Sequence, residues 1–555
     1  MTDLYTHQNN WQLNLPAGQA EAYFASGAWE QVTVAEAARE RARRTPDRVA
    51  LQAENGALTY SDAVEQGEAL ARALLDLGLR PGDTLAFQLP NWLETAVINL
   101  ACAFAGLVVN PVIPIYRQAE LRVILKDARA RLIFIPQVFR NVDFGAMLSE
   151  ARPDLPELAH VVQVRGDGDG LQPLIKHGRT LKTPLPKVPP ESAKMLIYTS
   201  GTTGLPKGVI YGHAQAKASI AYSFDAWGLE SDGTVTVVPT PVTHVTGYAH
   251  GLEGPFLLGT RTILMERWEA AEAVALIDQY SAAYMIGATP FLSETLKAAQ
   301  SAQTHLPSLK VFACGGAEVP PDLIRRANSW FANAVATRVF GASEVPMVTQ
   351  GCIENPELSA TTDGRVFRYD VRLIDTAGRN IPNGSEGEII ARGPSMFLGY
   401  TDPDATAKAV DTEGYFHTGD LGRLSDDGII TVTGRIKDLI IRGGENLSAK
   451  EIEDALALHT GIADLAVVGA PHERLGECVA VFVVAADGHE MPDTAALGQF
   501  LSHAGIAPQK RPEYVFSIDA LPRTASGKVQ KHLLRNEVKA RLGDRHKHQA
   551  ATDRT

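Results

Sequence analysis

Between Tyr198 and Gly208 the chain reads Y-T-S-G-T-T-G-L-P-K-G: three glycines, four Ser or Thr hydroxyls and a lysine within eleven positions. The apolar run Met195-Leu196-Ile197 leads into it. A buried strand that opens into such a loop presents backbone N–H groups and hydroxyls almost free of side-chain obstruction, which is how a protein cradles phosphate oxygens. The spacing excludes a Walker loop, because no Gly-Lys-Ser/Thr follows the first glycine at the required distance. More polar segments follow: Pro241-Val242-Thr243-His244, Gly315-Gly316-Ala317-Glu318, Phe340-Gly341-Ala342-Ser343-Glu344, Tyr415-Phe416-His417-Thr418-Gly419-Asp420, Gly434-Arg435-Ile436-Lys437-Asp438 and Pro522-Arg523-Thr524-Ala525-Ser526-Gly527-Lys528. Taken singly, most of these read as turns and solvated charges. Other catalytic patterns are absent: there is no G-x-S-x-G elbow, His472-Glu473 lacks a second histidine for a zinc helix, and no G-x-G-x-x-G occurs.

In this order, and over most of the chain, the segments resemble the adenylate-forming superfamily of acyl-CoA synthetases, peptide-synthetase adenylation domains and beetle luciferases. The resemblance implies an ATP site in which Thr199, Ser200, Gly201, Thr202, Thr203, Gly204 and Lys207 hold phosphate. Gly316 and Ala317 would form the adenine wall, where missing side chains let the base approach the backbone. In the motif Phe340-Gly341-Ala342-Ser343-Glu344 the ring would pack on adenine and the hydroxyl would meet the α-phosphate region. Its glutamate, together with Thr199, would hold Mg²⁺. The motif departs from the family pattern with Phe for Tyr and Ser for Thr, changes that keep a stacking ring and a hydroxyl. Asp420 would accept from both ribose hydroxyls, for which the paired oxygens of a carboxylate are suited. Arg435 would make the second ribose or phosphate contact.

The same resemblance assigns Lys437 as the hinge of a mobile C-terminal domain. Gly443 and Gly444 would lie in the loop that admits the thiol arm of CoA, with Ala449 in place of the usual proline. Lys528 matches the adenylation lysine, whose ammonium offsets charge that develops during in-line attack. His244 matches the position bordering the acyl tunnel, where it would orient the carboxylate or gate access. The implied reaction is a two-step ligation of a carboxylic acid to CoA through an acyl-adenylate, with ATP, Mg²⁺ and CoA as the small molecules required and with domain rotation between steps. Residues near Tyr248, Ala288 to Phe291, Ala317 and Met347 are candidates for the acyl pocket, and the acid is expected to be medium-chain or carbocyclic/aromatic. The rival readings are a stand-alone acyl-AMP ligase that loads a carrier protein, a luciferase-like oxidase, and a nucleotide-binding regulator without chemistry.

The elements that must position these groups follow from patterning. Val64, Gly67, Leu70, Ala71, Leu74 and Leu75 share one helical face, and strands at Thr84–Leu89, Leu107–Val112 and Leu132–Ile135 alternate with helices. A second α/β stretch carries strands at Val235–Pro239, Thr262–Met265, Tyr284–Gly287 and Val311–Gly315. Short strands and tight turns follow Tyr369, including Asn383-Gly384. The expected architecture is α/β: a large N-terminal domain (1–435) of mixed and parallel sheets flanked by helices, with a β-rich subdomain, and a small mobile α+β C-terminal domain (436–543). Helices are expected at Lys450–Leu458, Thr494–Ala504 and Lys528–Leu542, and a disordered polar tail from 544 to 555. The 555 residues carry a net charge of −12, so attraction to nucleic acid or anionic membrane is not expected. Ala96–Val109, the longest apolar run, contains Asn99 and is shorter than the roughly 20 residues that span a bilayer. Met1-Thr2-Asp3-Leu4 lacks a signal-peptide pattern, and Cys102, Cys314, Cys352 and Cys478 lie far apart, which fits a reducing, cytoplasmic setting. Monomer and homodimer both stay open.

Overall fold

A computed structural model of the chain describes residues 11, 13–15, 18–199, 206–316, 319–524 and 528–552, with 543–552 by backbone alone. Two α/β sheets dominate the first two-thirds. One has six strands, in the spatial order Lys207–Gly212, Ala193–Thr199, Val108–Pro111, Thr84–Phe87, Ala130–Pro136 and His160–Val164. The other has seven, in the order Val335–Val339, Val311–Gly315, Tyr284–Gly287, Val235–Val238, Arg261–Leu264, Val49–Ala53 and Gly56–Thr59. Each is parallel except for one antiparallel pair at an edge. Strands buried on both faces and joined through helices explain the continuous apolar runs seen in sequence.

Helices cover these sheets. Thr33 and Thr59 close capping boxes with Glu36 and Asp62 and start the helices Val34–Arg44 and Tyr60–Asp76. Gly67 lets the second of these approach its neighbour, since a Cβ there would lie 3.0 Å from Leu100 Cβ. The longest apolar run, Ala96–Val109, falls on the helix Leu93–Ala105, buried from Thr95 onward and ended by Gly106 in the left-handed region (φ 69°), and on the start of the strand Val108–Pro111. An all-round apolar helix of this length is a core helix. Among the described residues no helix is long and apolar enough to cross a membrane.

After Tyr369 comes a four-stranded antiparallel sheet of Asp370–Ile374, Gly387–Arg392, Phe416–Leu424 and Ile430–Arg435. A single 3₁₀ turn, Ile436–Asp438, separates it from a further sheet that begins with the hairpin Leu439–Arg442/Glu445–Ser448. That sheet adds Ile462–His472, Gly476–Ala485 and Tyr514–Ser517, with helices Ala449–Leu456, Thr494–His503 and Lys531–Thr552 around it. Two apolar clusters are built wholly from this part of the chain, one around Ile440, Ile452 and Val481, the other around Phe482, Leu534 and Val538.

The last helix differs from expectation at its start: it begins at Lys531 rather than Lys528, and its backbone runs on to Thr552. A helix anchored by buried Leu534 and Val538 propagates cheaply into Arg, Lys, Gln and Ala residues, all good helix formers, with no proline to stop it. Lys528 consequently sits on the loop ahead of this helix.

Candidate active site

The phosphate-loop segment is the connection of a β-hairpin. Ala193–Thr199 pairs with Lys207–Gly212 so that Thr199 lies opposite Lys207. Ser200, Gly201, Thr202, Thr203 and Gly204 lie outside the described residues, as does Ala317. Both flanks of the loop are tied down. Tyr198 donates to Asp127 Oδ2 at 2.6 Å, and Thr401 Oγ1 donates to the same oxygen at 2.7 Å. Gly208 is pressed against Thr401, whose Cγ2 would stand 2.8 Å from an added Cβ.

The motif ending in Glu344 follows the edge strand Val335–Val339. Phe340 is buried, and its backbone is held in both directions by Thr349: Phe340 N donates to Thr349 Oγ1 at 2.7 Å and Thr349 N donates to Phe340 O at 3.1 Å. Gly341 admits the returning chain, since an added Cβ would come within 2.5 Å of Met347 N. Tyr211 donates through its hydroxyl to Ser343 O, and Ala342 N donates to Val345 O at 3.1 Å. Tyr400 donates to Glu344 Oε1 at 2.6 Å. The Lys207 ammonium lies over the Tyr400 ring, 5.1 Å from its centroid.

Asp420 and Arg435 are cross-strand partners on adjacent antiparallel strands, and Arg435 Nε donates to Asp420 Oδ1 at 2.6 Å. Burial raises the Asp420 carboxyl above its usual range, against the pull of Arg435. Lys437 sits in the 3₁₀ turn, and its carbonyl accepts from Arg535 at 3.0 Å. Arg535 also pairs with Asp438 at 2.7 Å.

Lys528 reaches this cluster from the far end of the chain. The antiparallel bridge Arg523↔Val529 and the bond from Thr524 N to Lys528 O (2.8 Å) tie Lys528 to the segment ahead of it. Its Cε stands 4.0 Å from where a Gly316 Cβ would be, and Gly316 has φ +78°. Burial, then the charge of Arg435, pull the Lys528 pKa down to about 8, while Asp420 and Glu344 oppose the change. The structure thus brings Asp420, Arg435, Glu344 and Lys437 within electrostatic reach of Lys528, which stands over Gly316. Gly443 (φ +61°) and Gly444 (φ +90°) occupy the turn of the hairpin Leu439–Ser448.

His244 caps the short helix Val245–Gly247 and accepts from Thr246 N through Nδ1 at 3.4 Å. A neutral ring that accepts at Nδ1 carries its proton on Nε2. Its recessed position and the nearby Lys528 charge push its pKa down to about 4, so the ring is neutral at ordinary pH. Asn91 holds the segment that leads to it, donating to Val238 O (3.4 Å) and Thr240 O (3.1 Å) and accepting from Val242 N (2.8 Å). Immediately after it runs the π-helix Tyr248–Glu253. Lys194 pairs with Glu253 and donates to Tyr248 Oη at 2.6 Å, while Tyr248 donates to Asn99 Oδ1 at 2.5 Å. The Tyr248 hydroxyl therefore belongs to a buried polar network, so of the acyl-pocket candidates this one offers at most its ring.

Sequence reading did not find Tyr400, Tyr211, Asp127, Asn91 or the Lys194–Glu253 pair. Lys194 does leave a trace, as a lone charge inside the run Ala193–Tyr198 that is buried throughout. A charge in a strand covered on both faces demands a buried counter-ion. Nothing local reveals which residue that is.

Comparison with known proteins identifies the family. The chain is 35% identical, over 97% of both chains, to the medium-chain fatty-acid–CoA ligase of Escherichia coli (strain K12). It is 30% identical to the 2,3-dihydroxybenzoate-AMP ligase of Bacillus subtilis (strain 168), covering 95% of this chain and 97% of that one. Among solved structures it superposes on ATP-bound MatB from Rhodopseudomonas palustris with a TM-score of 0.80 and 25% identity, covering 92% of this chain and 99% of the other. Residues 38–401 match the AMP-binding enzyme family and residues 451–528 match the AMP-binding enzyme C-terminal domain. With two-thirds of its length inside the first match, this chain belongs to the AMP-binding enzymes.

Proposed function

We propose that the protein is an ATP-dependent acyl-CoA synthetase, converting a carboxylic acid, ATP and CoA into acyl-CoA, AMP and pyrophosphate through an acyl-adenylate. The observation that carries this reading is the placement of Lys528 over Gly316 and beside Asp420, Arg435 and Glu344. In the first step a carboxylate oxygen attacks the α-phosphorus and the bond to the pyrophosphate oxygen breaks. The Lys528 ammonium offsets the charge that accumulates between the two anions. His244, neutral and with its proton on Nε2, donates to the acid and fixes its approach without exchanging a proton. Asp420 accepts from the ribose, and Arg435 holds that carboxylate in place. Phe340, Gly341, Ala342 and Ser343 with Gly316 and Ala317 line the nucleotide, and the segment from Thr199 to Lys207 takes its phosphates.

Glu344 and Thr199 would hold Mg²⁺. An oxygen-only donor set with one carboxylate fits an ion that is completed by substrate phosphates and water. When bound, the ion supplies neutralisation of triphosphate charge.

In the second step the CoA sulfur attacks the acyl carbon and AMP departs. We assign the division of the chain to residues 1–435 and 436–543, with rotation at Lys437 withdrawing Lys528 and bringing Gly443 and Gly444 in its place. Two positive-φ glycines in a hairpin turn leave the backbone open to close approach by a ligand. The acid is a medium-chain or a carbocyclic/aromatic one; the likeness to the Escherichia coli ligase supports the first and the likeness to the Bacillus subtilis 2,3-dihydroxybenzoate-AMP ligase the second. The setting is cytoplasmic, in keeping with four buried cysteine thiols. A second reading, an acyl-AMP ligase that passes its acyl group to a carrier protein, is favoured by the likeness to the Bacillus subtilis AMP ligase. Mass spectrometry of the products from Mg·ATP, CoA and a panel of acids separates the two. Acyl-CoA with AMP is the expected result; acyl-adenylate that accumulates in the presence of CoA overturns it in favour of the carrier.

A further inference from the structure

Tyr400 joins two parts of the nucleotide site that are remote in sequence. Its segment is laced to the strand leaving the phosphate loop: Leu398 N donates to Ile210 O (2.8 Å), Ile210 N to Gly399 O (2.9 Å) and Thr401 N to Gly208 O (2.9 Å). Tyr400 N donates to Thr406 Oγ1 at 2.9 Å, and the ring packs edge-on against Phe397 with centroids 4.9 Å apart. The side chain is 4% exposed, so its direction is set by packing. From this fixed position the hydroxyl donates to Glu344 Oε1 at 2.6 Å and the ring face receives the Lys207 ammonium at 5.1 Å.

A carboxylate has two oxygens, and a donor fixed on one of them fixes the direction of the other. A donor to an ionised acceptor makes one of the stronger hydrogen bonds available to a protein, and an aromatic face within about 6 Å attracts an ammonium. We infer that Tyr400 is a positioning residue for metal-nucleotide binding: its hydroxyl occupies one oxygen of Glu344 so that the other is presented to the divalent cation, and its ring seats Lys207 beside the phosphates. The inference rests on the reading of Glu344 as a metal ligand given above.

The test is the affinity of the full chain for ATP, measured by titration calorimetry in the absence of acid and CoA, with Mg²⁺ in excess and again in EDTA. Four proteins are compared: the native chain, Tyr400→Phe, Glu344→Ala and the double variant. Tyr400→Phe keeps the ring, and therefore the Phe397 and Lys207 contacts, and removes only the hydroxyl. The native chain is expected to bind ATP more tightly with Mg²⁺ than in EDTA, and Tyr400→Phe to lose roughly tenfold of that gain with its affinity in EDTA unchanged. In the Glu344→Ala background the same change should add nothing further, because the residue through which it acts is gone. An unchanged Mg²⁺ gain in Tyr400→Phe overturns the inference. So does an equal loss in EDTA, which would mark general packing of the loop, or a full additional loss in the double variant. A native chain whose ATP affinity ignores Mg²⁺ would instead overturn the reading of Glu344 itself, and the role of Tyr400 with it.

Discussion

If Lys528 offsets charge during adenylation, only its ammonium form is productive, and its lowered pKa should be visible as an alkaline limb in the rate. Burial and Arg435 set that pKa at about 8, against an ordinary 10.5. About nine in ten molecules then carry the charge at pH 7 and about one in ten at pH 9, so kcat/KM for adenylation should fall roughly tenfold for each unit above pH 8. The fall should level off at the rate of Lys528→Ala, about 10²–10³-fold below the native rate, the typical effect of removing one electrostatic stabiliser. ATP–pyrophosphate exchange at subsaturating ATP and acid is the suitable assay. It needs no CoA, whose thiol ionises over the same range and would push the rate the opposite way. Lys528→Arg supplies the control: guanidinium stays charged throughout, so its slower rate should lack the limb. His244, neutral above pH about 4, contributes no step between pH 6 and 10. Alkaline unfolding through Lys528 does not mimic the effect. With a folded pKa below the unfolded one, the folded chain binds fewer protons between these values, and this group makes stability rise with pH across that window. A native profile flat to pH 10, or a limb that persists unchanged in Lys528→Arg, would refute the assignment.

Three further outcomes are expected. Asp420→Asn should raise the KM for ATP about 10–100-fold in the exchange assay, as loss of hydrogen bonds to a charged acceptor, and should move the Lys528 limb to lower pH because a carboxylate that supports the ammonium is removed. A limb that stays in place would show that the two groups do not interact. Lys194→Met should destabilise the fold by about 3–5 kcal/mol in urea unfolding by leaving Glu253 buried and unpaired, and Lys194→Met with Glu253→Leu should recover much of that loss. A single variant within 1 kcal/mol of native would contradict a charged, buried pair. Gly444→Ala forces an L side chain to φ +90° and should slow transfer from supplied acyl-adenylate to CoA more than it slows exchange. Equal slowing of both would separate this turn from the thiol step.

Much of the fold was legible because burial imposes periodicity that a sequence displays directly. Tyr284–Gly287 and Val311–Gly315 occur with the ends that the apolar runs suggest. The helices at 449–456 and 494–503 lie within a residue or two of expectation, and each starts with a local cap, Ser448 or Asp493. The motif residues were named through the order of several motifs rather than singly: Asp420 alone reads as a turn residue and Arg435 as a surface charge, and only the strand pairing sets them opposite each other.

What only the tertiary structure decided is pairing across distance. Glu253 as the partner of Lys194, Tyr400 as the support of Glu344, and Asp127 as the anchor of both Tyr198 and Thr401 depend on sheet order and on which helix covers which strand. So does the arrival of Lys528 above Gly316 from more than two hundred residues away. The sequence alone determined the order of the motifs along the chain, and with it the resemblance from which the candidate groups were named, since a motif is a property of neighbouring residues. The distances between those groups, their pKa values and the residues that hold them still arise from long-range packing, which a local pattern does not encode.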